Sequence, residues 1–166
     1  MRWRWWFNTP MLWLLRSPLH GIVSGSMLAI RVRGRISGRM YTLPVNYLQN
    51  GLTLLILSTR DRTWWRNLEP KAPVTLWLRG RRVQAMAQAI TSPEEVIKGL
   101  LVVLRRSPRY QRSLGVALDA QGNARQNDQL ARAASQYVVI RIALSAFSNA
   151  TAAETLADEY TGGRIV

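Results

Sequence analysis

The sequence contains no cysteine. That excludes disulfides, thiolate nucleophiles and every cysteine-ligated zinc site at once. Histidine occurs once, at His20, which leaves no material for a histidine-clustered metal site and argues against a Ser-His-Asp triad. A lone histidine is more often a structural hydrogen-bonder, and His20 is assigned no role. Lysine is nearly absent, with Lys71 and Lys98 its only occurrences. No stretch reaches the roughly 18 consecutive apolar residues that a membrane-spanning helix needs. The opening MRWRWWFNTPMLWLL resembles a signal peptide in its basic start and apolar run, but it lacks a small-residue cleavage site and is interrupted by Arg16 and Pro18. Retention in the cytoplasm is therefore expected. Chemistry performed by such a chain is expected to come from a bound group.

What the chain has instead is arginine. Twenty-three basic residues face nine acidic ones, for a net charge of +14. Arginine grips phosphate and carboxylate with a planar two-point fork, whereas lysine is a hydrated point charge. The excess suits an anionic ligand, a nucleic acid or an anionic membrane surface, and composition does not choose among them. The length, 166 residues, fits one domain on the usual scale of roughly 100–200. A hydrophobic share of 48% is that of a globular protein.

Along the chain, Trp3, Trp5, Trp6 and Phe7 sit among Arg2 and Arg4, a mixture suited to a membrane interface or to an arm packed on the domain or a partner subunit. Thr9-Pro10 opens a short helix that Ser17-Pro18 bends or ends. From Ser26 the period becomes that of strands. Met27 to Arg33 is a first strand, Gly34 to Gly38 a turn, and Tyr41 to Leu48 a returning strand whose Pro44 requires an edge or a bulge. Asn50-Gly51 marks a hairpin turn before Leu52 to Leu57, a strand apolar enough to be buried on both faces. A polar loop (58–62) precedes a short helix, Trp64 to Leu68, capped by Thr63. Val74 to Leu78 and Val83 to Ile90 form a hairpin. A helix opens at Ser92-Pro93-Glu94-Glu95, another short element begins at Pro108, a helix runs from Asp128 to Gln136, and Tyr137 to Leu144 closes the domain. The expected partition is an arm and helix over 1–25, a mainly β domain with helices over 26–144, and a small, polar tail over 145–166.

Two stretches are suited to chemistry. In the turn Gly34-Arg35-Ile36-Ser37-Gly38-Arg39, the glycines permit a concave nest of amides, and Arg35, Ser37 and Arg39 flank it as phosphate ligands; any basic hairpin turn looks similar. In Ser58-Thr59-Arg60-Asp61-Arg62-Thr63, followed by Trp64-Trp65-Arg66, a loop opens a helix where free amides attract an anion. There Trp64 or Trp65 could wall a planar ring and Arg66 pair with a carboxylate, or both tryptophans could be core. Tyr110, between Arg109 and Arg112, is a candidate hydroxyl over a ring system and more often a half-buried packing residue.

The strings SPLHGIVSGSM, GRISGRMYTLPVNY and TWWRNLEPKAPVTLWLRGR, with RSPRYQRSLG and YVVIRIAL less sharply, resemble the deazaflavin-dependent nitroreductase family. These are flavin and deazaflavin oxidoreductases related to pyridoxamine-phosphate oxidase, and the likeness spans about residues 9–144. The resemblance implies a six-stranded split β-barrel, usually a homodimer, that binds coenzyme F-420 or FMN. It places the cofactor's phosphate and acidic tail at Arg35, Ser37, Gly38, Arg39 and Tyr41, and its ring beside Leu43, Pro44 and Val45. It closes the second loop over the phosphate through Ser58, Thr59, Arg60, Arg62 and Trp65, and sets Tyr110, the catalytic candidate, near the substrate. The chain departs from the family pattern at Ile36 and Tyr41, where basic residues are usual, at Ser113, where an aromatic is usual, and in a shorter loop before the tryptophans. The activity implied is hydride transfer from the reduced cofactor to a quinone or nitroaromatic-type acceptor. The alternatives are a nucleic-acid binder, disfavoured because the basic residues are dispersed without a recognition motif, and a membrane-peripheral protein docked by its N-terminal arm.

Overall fold

In a computed structural model the described residues are 26–144. The expected N-terminal arm and helix (1–25) and the tail (145–166) lie outside them. Seven strands form one sheet: β1 (Met27–Arg33), β2 (Met40–Asn46), β3 (Leu48–Asn50), β4 (Thr53–Thr59), β5 (Ala72–Leu78), β6 (Arg81–Ile90) and β7 (Tyr137–Ala143). Three helices, α1 (Pro93–Arg106), α2 (Pro108–Leu114) and α3 (Asn127–Gln136), lie between β6 and β7, and a 3-10 helix (Trp64–Leu68) joins β4 to β5. The lateral order is β2-β1-β5-β6-β7-β4-β3, with every pairing antiparallel.

The count is seven, not the six expected. The returning strand is broken at Tyr47, which is buried and donates its backbone N–H to the Ser26 carbonyl at 2.9 Å. β2 pairs with β1 at one end of the sheet and β3 with β4 at the other, with only Tyr47 between them. The two ends of the sheet are therefore linked by one residue, and the sheet curls on itself as a split barrel requires. Pro44, which has no N–H to give a second neighbour, sits on the terminal strand β2 opposite Ala29, as an edge position allows.

Alternation then sorts the side chains. Leu28, Ile30 and Val32 of β1, Leu54 and Ile56 of β4, Leu76 of β5, and Val138, Ile140 and Ile142 of β7 fill the inside of the curl. Leu55 of β4 and Val139 of β7 point the other way, into a second cluster roofed by α1 and α3. β4 and β7 are thus buried on both faces, which is why their sequences are nearly unbroken apolar runs.

The amphipathic α1 supplies much of that roof. Pro93 opens it, Glu94 and Glu95 occupy its positive end and Arg105 and Arg106 its negative end, in keeping with the helix dipole. Val96, Gly99, Leu100, Val103 and Leu104 form the buried stripe. Gly99 is there for space: a Cβ at that position would stand 2.9 Å from one methyl of Val139 and 3.0 Å from the other. Among the described residues no helix is long and apolar enough to cross a membrane. The β5–β6 connection is a two-residue turn in which Arg79 (φ 50°) and Gly80 (φ 75°) are both left-handed, a conformation costing a non-glycine residue roughly 1 kcal/mol.

Replacing Gly99 by Ala should overpack the α1–β7 contact. Overpacking costs about 1–3 kcal/mol, against a gain of about 1 kcal/mol in helix propensity, so a net loss is expected by denaturant unfolding. In a Val139→Ala background the same change should become neutral or stabilising. Equal effects in both backgrounds would show that the contact is not what limits position 99.

Candidate functional site

The β1–β2 turn and the 3-10 helix are far apart in sequence and meet in the fold. Between them lies a cleft of about 780 Å³. One wall is the turn and the start of β2: Gly34, Arg35, Ile36 and Ser37, then Met40, Tyr41, Thr42 and Leu43. The other is Thr63, Trp64, Arg66 and Asn67.

Helical pitch explains which of the two tryptophans faces the cleft. With three residues per turn, i and i+3 share a face. Trp65 and Leu68 are buried in the barrel interior. Trp64 and Asn67 share the cleft face, and Arg66, exposed, borders the cleft beside them with its guanidinium 5.5 Å from the Trp65 ring centre. Trp64 is held at two points: its ring N–H donates to the Ser58 hydroxyl at 3.1 Å, and its carbonyl accepts from the Asn67 amide at 2.9 Å.

That same Asn67 side chain crosses to the other wall. Its carbonyl oxygen accepts the Arg35 backbone N–H at 2.9 Å. The turn is further shaped from within. The Gly34 N–H donates to the Arg39 carbonyl at 2.7 Å and the Gly38 N–H to the Gly34 carbonyl at 2.8 Å. The Ser37 and Tyr41 hydroxyls share a hydrogen bond of 3.1 Å. Gly34 has no room for a side chain: a Cβ there would lie 2.6 Å from the Ser37 oxygen and 2.8 Å from the Tyr41 ring.

Of the residues singled out from the sequence, Arg35, Ser37, Tyr41 and Leu43 line the cleft, together with Trp64 and Arg66. Gly38, with φ 66°, and Arg39 shape the turn outside the lining, and Pro44 and Val45 continue β2 beyond it. Ser58 stands behind the wall as the partner of Trp64. The Thr59 hydroxyl bonds the Asp61 carboxylate and holds its pKa below the ordinary value, with the nearby Arg62 charge adding to the effect. Arg60 turns to the helical side, where its guanidinium donates to the Thr91 carbonyl at 2.7 Å. Trp65 is core. Tyr110 packs against the helical cluster rather than the cleft, and burial pushes its phenol up, with Tyr137 adding to the shift and Arg109 opposing it.

Sequence reasoning did not find Asn67. An amide side chain carries both a donor and an acceptor, and its i+3 spacing from Trp64 puts both on the cleft face. Thr63, Ile36, Met40 and Thr42 were also not singled out as lining residues, because a wall built from two distant segments has no local signature.

Chemically, the cleft pairs apolar surface (Trp64, Leu43, Met40, Ile36) with two guanidiniums, Arg35 and Arg66. Neither has a carboxylate within ion-pair distance among the described residues. Such a site suits a ligand with a flat apolar body and an anionic end. Among the described residues no group of three metal-ligating side chains occurs.

No family model matches the chain, and no curated protein does. Among solved structures, the chain is similar to the heme storage protein HutZ from Vibrio cholerae, with a TM-score of 0.48 and 13% identity over 83% of this chain and 90% of that one. It is similar to a putative 5-nitroimidazole antibiotic resistance protein from Bacteroides thetaiotaomicron, with a TM-score of 0.45 and 11% identity over 72% of this chain and 73% of that one. It is also similar to an F420 reductase, with a TM-score of 0.41 and 13% identity over 80% of this chain and 91% of that one.

Asn67→Ala removes the bond that ties the turn to the 3-10 helix and, with it, the amide's bond to the Trp64 carbonyl within that helix. At about 0.5–1.5 kcal/mol net for each bond, the variant should lose roughly 1–3 kcal/mol of stability in denaturant titration. A loss no larger than that of an exposed-surface substitution would mean that the bridge does not form.

Proposed function

We propose that the protein is an oxidoreductase that binds a flavin-like, phosphate-bearing cofactor, coenzyme F-420 or FMN, in the cleft between the β1–β2 turn and the 3-10 helix. The acceptor it reduces is of quinone or nitroaromatic type. The observation carrying this reading is that Arg35 of the first basic stretch and Arg66 of the second line one cleft, whose walls are tied by the Arg35–Asn67 bond. The cleft volume lies within the range of roughly 300–1,000 Å³ usual for cofactor sites. The sequence resemblance points to the same turn.

In this reading the bound cofactor supplies the hydride transfer, which side chains of this chain have no means of performing. Arg35 and Ser37 hold the phosphate; Arg66 is the second cation within reach of an anionic tail. Trp64, fixed by Ser58 and Asn67, offers a rigid apolar wall for the ring, opposite Leu43. Because Trp64 is held by Ser58 and Asn67 before any ligand arrives, little ordering entropy is lost at that wall on binding. Ile36, Met40 and Tyr41 remain exposed by 96%, 56% and 38% at the cleft mouth. We assign their covering, and with it the exclusion of water from the site, to a second copy of the chain in a homodimer.

The assignment is tested by titrating purified protein with coenzyme F-420 and with FMN, following fluorescence. Binding of at least one is expected. Arg35→Ala should weaken it about tenfold or more, the worth of a charged hydrogen bond. Arg39→Ala, outside the lining, should change it little. Undiminished affinity in Arg35→Ala and Arg66→Ala together would remove the cleft as the binding site.

A further inference from the structure

The end of the barrel opposite the cleft carries a second concentration of arginine. β1 and β5 run antiparallel, with Arg31 opposite Thr75 and Ala29 opposite Trp77, so the tip of the β5–β6 hairpin lies at the far end from the Gly34–Arg39 turn. Arg79, Arg81 and Arg82 are exposed at that tip. Arg106, at the end of α1, joins them through one residue. Gln49 accepts from the Arg79 guanidinium at 3.1 Å through its side-chain oxygen and from the Arg106 guanidinium at 3.2 Å through its backbone carbonyl. The side-chain amide of Gln49 also donates to the Gly51 carbonyl at 3.1 Å, fixing the neighbouring β3–β4 tip. On that tip Leu52 is 66% exposed, although its backbone carbonyl is engaged by the Leu144 N–H at 3.0 Å.

Three properties of this surface bear on its partner. The four guanidiniums have no carboxylate within ion-pair distance among the described residues. Arg79 occupies a left-handed turn position that glycine, asparagine or aspartate normally takes, so its charge is carried where the backbone disfavours it. A large apolar side chain projects from the adjoining tip. The ring that pairs with Arg82 across the hairpin, Trp77, is half-buried and already has the Arg31 guanidinium 5.0 Å from its centre, and neither tip offers a helix to a nucleic-acid groove. Fixed cations around a projecting leucine match the interface of an anionic bilayer, where the charges meet phosphate headgroups and the apolar side chain enters the acyl boundary.

We infer that this end of the barrel, through Arg79, Arg81, Arg82, Arg106 and Leu52, is a docking surface for an anionic membrane. It is separate from the cleft and independent of the cofactor assignment. The test uses the full-length chain with vesicles of phosphatidylglycerol and phosphatidylcholine, compared with phosphatidylcholine alone. Co-sedimentation is expected with the anionic vesicles only and should fall as salt rises. Arg79→Gly relieves the backbone strain, so the variant stays folded, yet it should bind about fivefold more weakly, the worth of one arginine at such a surface. Leu52→Asp should cost about tenfold or more. Wild-type protein that does not pellet with anionic vesicles, or folded variants that pellet as the wild type does, would overturn the inference. So would a single-stranded oligonucleotide that displaces the protein from vesicles and binds the Leu52→Asp variant as tightly as the wild type.

Discussion

One side-chain amide joins the two basic stretches of this protein. Asn67 receives the Arg35 N–H on one side and gives its own N–H to the Trp64 carbonyl on the other, so a β-turn and a 3-10 helix from distant parts of the chain become two walls of one cleft. Everything proposed about the site depends on that span. If the turn were free, Arg35 and Ser37 would be an ordinary solvated hairpin tip, and Trp64 would face an open surface.

The span in turn rests on the barrel. β1 is fixed between β2 and β5, so the turn emerges at a set place. The 3-10 helix is anchored by burial of Trp65 and Leu68 in the interior, which leaves Trp64 and Asn67 facing outward. Packing on one side of the helix thereby decides the chemistry on the other. The helical roof is a separate layer: it seals the outside of β4 and β7 and draws Arg60 and Tyr110 away from the cleft.

Much of the fold was legible in the sequence because its signals are local. The alternation in β1, the two-sided apolar run of β4, Pro44 on an edge strand, and the start of α1 at Ser92-Pro93 all follow from nearest-neighbour chemistry. The break at Tyr47 was not legible, because Tyr41–Leu48 has an unbroken strand pattern and only the closing of the sheet makes it change partners. The site was half legible. Arginine-rich turns announce themselves, so Arg35, Ser37 and Arg66 stood out. The choice of Trp64 over Trp65 depends on the phase of a helix against a core, and the role of Asn67 depends on a contact 32 residues away in sequence.

The most direct test of this account is amide hydrogen exchange at Arg35. Its N–H lies on an exposed turn and has no backbone partner among the described residues; the bond to Asn67 alone would slow its exchange. Marked protection of that one amide in the wild type, lost in Asn67→Ala while the β1 amides stay protected, is the expected result. Exchange at the rate of an open turn in the wild-type protein would contradict it, and the two walls would then have to be regarded as independent surfaces.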